Sequence, residues 1–140
     1  MWGIGVVIRN ESGSVLATCS KKLWNIGSLD HLHAAALLAG MLLAAECNLQ
    51  LVRFECGSFK IVAAVSQGIP FGSGRGVLID DCCVLLSQFQ SASVAHVPKL
   101  CNRVANRLAL FAFHLLQDCF WFGEAPELVQ DLLTQDCTHF

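Results

Sequence analysis

The chain has 140 residues, enough for one domain with a core of its own. Hydrophobic residues make up 54% and charged residues 14%, which excludes a disordered chain and implies partly apolar surface. A formal net charge of −2 argues against strong unspecific binding to nucleic acid but leaves room for a local basic face.

Trp2–Arg9, "WGIGVVIR", reads as a strand, β-branched and apolar, with Gly3 and Gly5 as weak points. "NESG" (10–13) is a turn in which Gly13 can take positive φ, and Val15–Cys19 completes a hairpin. Residues 20–29 read as a loop. Asp30 is placed to cap a helix over 31–47, rich in Ala and Leu and apolar nearly all round, as expected for burial on more than one side. Its apolar run Leu32–Ala45 is too short to span a bilayer, so no membrane partner is expected.

Leu49–Cys56 reads as a third strand, and Ser58 as the cap of a short helix over 59–67. "QGIPFGSGRG" (67–76) is a loop leading to a helix over 77–90. Ser93–Val97 is a fourth strand, ended by Pro98, which cannot join a ladder. Residues 99–117 read as a last long helix, and the tail can hold a short helix after Pro126. The order ββαβααβα implies one α/β domain over 1–140: a mixed sheet with helices packed on it.

Eight cysteines contain no Cys-x-x-Cys pair, and vicinal Cys82–Cys83 has poor geometry for one metal. Met1–Ile8 lacks the basic start of a secretory signal. The thiols therefore read as reduced and mostly buried, in an intracellular protein.

The last helix is amphipathic. Cys101, Val104, Ala105, Leu108, Ala109, Phe111, Ala112 and Leu115 share one arc; Lys99, Asn102, Arg103, Asn106, Arg107 and His114 share the other. By periodicity alone the polar arc is a solvated face.

Three stretches, "GIGVVIRNESGSVLAT" (3–18), "SFKIVAAVSQG" (58–68) and "HVPKLCNRVANRLA" (96–109), together with the tail "WFGEAPELVQDLL", resemble in content and order the ribonuclease H-like domains of plant non-LTR retroelements. The resemblance covers nearly the whole chain and implies a ribonuclease H-like mixed sheet flanked by helices, whose first three strands are antiparallel. The family's first strand, central in the sheet and carrying an Asp-Gly pair, has no counterpart before Trp2. The expected fold therefore lacks its usual first (central) strand, with open strand edges as a result.

The family's chemistry cleaves the RNA strand of an RNA–DNA hybrid with two Mg²⁺ ions held by carboxylates. The resemblance places the first acid on the missing strand. It puts the second at His33, the third at Gly57 in "ECGS" (55–58), and the fourth at Asn106. His96 matches the family's His-Val-Pro and reads as a strand-end feature. All four ligand positions are lost or neutral, so neither bound Mg²⁺ nor another cofactor is expected. Glu55 is the best stray carboxylate, and one carboxylate does not make a two-metal site.

Three functions compete. A catalytically inactive domain would bind an RNA–DNA hybrid or a single strand weakly through Lys99, Asn102, Arg103 and Arg107, with Trp24 and Phe71 as loop aromatics. A non-catalytic interaction module, or a decayed retroelement fragment, would use the exposed sheet edge to meet a protein partner or itself. An active hybrid ribonuclease is what the family label implies by default.

Overall fold

Strand β1 (Trp2–Arg9) and strand β2 (Val15–Leu23) form an antiparallel hairpin in a computed structural model that describes residues 1–67 and 76–133. The Asn10 carboxamide oxygen accepts the amides of Ser12 and Ser14, and Gly13 takes φ +83°, so the turn is set by its own residues. Then follow α1 (Leu29–Glu46), β3 (Leu51–Cys56), α2 (Phe59–Gln67), α3 (Gly76–Ser87), β4 (Ser91–His96), α4 (Arg103–Phe111), β5 (Cys119–Phe122) and α5 (Gln130–Leu133). The loop expected at 67–76, with Phe71, lies almost wholly outside the described residues.

The chain divides into two compact units: Met1–Ile26 with the described residues from Pro98 onward, and Gly27–Val97. In the first unit β2 lies between β1 and β5, all antiparallel. One face of this sheet carries α4. Gly3 and Gly5 are not weak points here. A Cβ at Gly3 would sit 2.0 Å from the Ala109 carbonyl oxygen, and one at Gly5 2.1 Å from that of Ala105. Only glycine admits the helix backbone this closely. The Ser20 hydroxyl donates to the Leu108 carbonyl at 2.6 Å and ties β2 to the same helix. Val104 and Leu108 of α4 then build a core with Ala125, Val129 and Leu132 of the C-terminal segment.

The second unit is a β3–β4 parallel pair linked through α2 and α3. Helix α1 packs on α3, β3 and α2. Its 18 residues make it long and apolar enough to cross a membrane by length and composition alone, beyond the shorter run visible in the sequence, and Ala34, Leu37, Met41 and Leu43 are among its buried residues. Asn48, at φ +57°, closes α1, with its amide on the Ala45 carbonyl. Parallel strands are ordinarily covered on both faces, yet Leu51, Arg53 and Glu55 leave one face of β3 exposed.

Several expectations are corrected. Strand β2 runs on to Leu23, through residues read as loop, because β1 pairs it from Trp2 onward. Ser28, not Asp30, caps α1: its hydroxyl accepts the His31 amide at 3.1 Å, and Asp30 sits in the first turn. The expected helix over 99–117 is interrupted. A 3-10 turn at Lys99–Cys101 precedes Asn102, whose φ of −132° breaks the helix, and α4 ends in another 3-10 turn at Ala112–His114. The residues beyond form β5, which sequence periodicity did not reveal. The short helix after Pro126 is present as a 3-10 turn followed by α5.

The described strands make one sheet of three and one of two, and no described strand pairs with both. Strand β1 is paired on one side among the described strands. Ile4 is 2% and Val6 9% exposed, the burial of a central strand, yet β2 is its only partner among the described strands.

Candidate functional site

Gly57 follows β3 directly, and His33 lies on the second turn of α1. The two positions adjoin: a Cβ at Gly57 would meet the His33 ring carbon Cε1 at 3.3 Å and Nδ1 at 3.9 Å. The imidazole thus takes up space that a side chain at position 57 would need. His33 is half-buried, and burial pushes its pKa below the usual 6.5, against a smaller upward pull from the Asp30 carboxylate. The favoured state is a neutral ring. His31, two residues away, points elsewhere, and its Nδ1 accepts the Gly27 amide at 3.1 Å.

The family resemblance calls for Mg²⁺ here, and the residues present do not fit it. Mg²⁺ selects hard carboxylate oxygens, whereas this spot offers one imidazole and a glycine. Glu55, the stray carboxylate, is engaged with Arg53 at 3.5 Å on the exposed side of β3. Among the described residues no three His, Cys, Asp or Glu side chains are grouped to hold a metal ion. Nor do thiols supply ligands. Burial raises Cys19 to about 11 and Cys82 to about 12, and it raises Cys56 and Cys83 as well. His96 ends β4 opposite Cys56, with its ring edge-on to Phe59 at 6.0 Å, a packing role consistent with a strand-end residue.

Asn106 belongs to the first unit and is described there. It lies partly buried on α4, its amide in the helical bond to the Asn102 carbonyl at 3.1 Å. The polar arc read from the sequence is split by the structure. Lys99 is exposed in the 3-10 turn, Asn102 stands at the junction, and Arg103 is exposed on the first turn of α4. Arg107 is committed elsewhere. Its Nη1 donates to the Asp131 carboxylate at 2.7 Å and to the Leu128 carbonyl at 3.1 Å, clamping α4 to the C-terminal segment.

Sequence reasoning chose Trp24 and Phe71 as aromatics. Trp24 is 66% exposed, and Phe71 is outside the described residues. It missed Phe120 and Phe122, which protrude from β5 with the Lys21 ammonium 5.9 Å from the Phe120 ring centre. The signal available was the alternation in "CFWF", too short to read without its partner strand.

The sequence model of a family described as reverse transcriptase-like matches residues 3–112. Among solved structures, the chain is similar to RNase H1 from the halophilic archaeon Halobacterium salinarum NRC-1. The TM-score is 0.74 at 19% identity, covering 80% of this chain and 85% of that one. It is also similar to the N-terminal RNase H domain of a Mycobacterium tuberculosis protein, studied as a fusion with maltose-binding protein. Here the TM-score is 0.71 at 25% identity, covering 79% of this chain and 85% of that one. No curated protein matches the sequence.

Proposed function

The chain belongs to the reverse transcriptase-like family and has a ribonuclease H-like fold, and from that premise we propose that it is a nucleic-acid-binding domain that has lost hydrolysis. The observation that carries the reading is His33 against Gly57. Two dications about 4 Å apart repel strongly, and carboxylates must offset that repulsion. A neutral ring beside a glycine brings no negative charge, and Asn106, at the remaining position, is also neutral. Metal-dependent cleavage therefore has no support among these residues.

Binding rests on Lys99 in the 3-10 turn, Asn102 at the junction and Arg103 on the first turn of α4, of which Lys99 and Arg103 are exposed. The ligand class is an RNA–DNA hybrid or a single strand. With few cations and a net charge of −2, binding is weak and falls with salt at a shallow logarithmic slope. The test pairs Mg²⁺-dependent cleavage of a labelled hybrid with its anisotropy at low and moderate salt. The expected result is no cleavage above the buffer control and salt-sensitive binding. Lys99→Gln and Arg103→Gln each lower the logarithmic salt slope by about one. Asp131→Asn releases Arg107 and tightens binding several-fold. Mg²⁺-dependent product would refute the inactive reading; absence of binding at low salt would refute the binding reading.

A second reading, contact with a protein or with another copy, is supported by β1. A strand with buried side chains and one open edge is a template for a further strand.

A further inference from the structure

Strand β5 is short, aromatic and held to β2 in a defined register: Cys19 opposite Phe120 and Ala17 opposite Phe122. Alternation along β5 sends its rings to different places. Trp121 packs into the Val104–Leu108 core. Phe120 and Phe122 stand on the other face and remain 45% and 60% exposed. Their cross-strand neighbours Cys19 and Ala17 are small and almost fully covered, so the exposed apolar surface here is that of the two rings. The two aromatics are two residues apart on one strand, about 7 Å.

Lys21 shares this face, two residues along β2 from Cys19, with its ammonium over the Phe120 ring at 5.9 Å. The nearest acid, Asp118, has its Oδ1 turned to the Lys22 amide at 2.9 Å. The face therefore offers two exposed apolar rings with a cation at one end. Planar bases fit the rings, and a phosphate fits Lys21. Bases paired in a duplex cannot present their faces in this way; those of a single strand can.

We propose that Phe120, Phe122 and Lys21 form a two-base platform for single-stranded nucleic acid. The phosphate contact lies at the Lys21 end. This surface is separate from the Lys99 and Arg103 face and stands or falls independently of it.

The experiment measures anisotropy of labelled oligo-dT and oligo-rU with the full chain at low salt, beside an abasic phosphodiester strand of equal length and a duplex hybrid. Wild-type protein is expected to bind the single strands more tightly than the abasic strand. Phe120→Ala and Phe122→Ala each weaken single-strand binding by on the order of tenfold and leave abasic binding unchanged. Lys21→Gln lowers the salt dependence. Lys99→Gln and Arg103→Gln, by contrast, weaken base-bearing and abasic strands alike, which separates the two surfaces. Both phenylalanines are exposed, so circular dichroism and thermal midpoint should match wild type, and the abasic comparison needs no variant. Equal binding of abasic and base-bearing strands overturns the platform. So does wild-type affinity in both alanine variants, or their turning an associated protein into a monomer while binding is unchanged, which would make the face an interface between copies.

Discussion

His33 is half-buried against Gly57, and its pKa is lowered chiefly by that burial. The unfolded chain, with the ring near 6.5, then binds more protons than the folded chain in the interval between the lowered value and 6.5. Stability rises with pH through that interval and levels off above it. His33→Gln should therefore flatten this part of the profile, measured by urea unfolding at several pH values below and above 6.5. An unchanged profile would mean that the ring does not titrate differently on folding. The identities at 33, 57 and 106 were legible in the sequence once the resemblance supplied the positions. The closeness of 33 and 57 was not, because 24 residues separate them and only the packing of α1 beside the end of β3 brings them together. Arg107 teaches the same lesson at one side chain. Helical periodicity placed it on the solvated arc, where it stays partly exposed, but only the fold brings Asp131, from beyond β5, to its guanidinium.

Elements were read best where one period ran unbroken. Strands β1, β3 and β4 and helices α1 to α3 fall within a few residues of their sequence-based limits, because each carries its own pattern and boundary signals. The segment 99–122 was read worst. Its apolar positions continue at helical spacing, but the backbone breaks at Asn102 and again after Phe111, and β5 exists only because β2 lies ready to pair with it. The glycines of β1 were misjudged for a related reason. Intrinsic propensity counts Gly3 and Gly5 as losses, while the closeness of α4 makes them requirements. Gly5→Ala should therefore destabilise the protein by about 3 kcal/mol through overpacking against backbone. Gly13→Ala, at a turn with open space around it, acts only through its positive φ and should cost less, about 1 kcal/mol. Equal urea midpoints for the Gly5 variant and wild type would refute the close packing.

At the level of the whole molecule, the open edges carry the main physical consequence. β1, β3, β4 and β5 each pair on one side only among the described strands, and the surface exposes Leu51, Phe59, Leu110 and Leu116. Unpaired edges beside exposed apolar side chains favour association. Sedimentation velocity should give a weight-average mass that rises with concentration, and a constant monomer mass across the range would exclude edge pairing. The sequence by itself determined the family and the order of most elements, since motifs and periodicities are local and survive without a partner. Only the tertiary structure decided that the strands form two sheets, that His33 crowds Gly57, that Asp131 takes Arg107 and that Phe120 and Phe122 stand beside Lys21. Each of these joins residues far apart in the chain, and such contacts form only where packing makes up for the entropy of closing the loop between them.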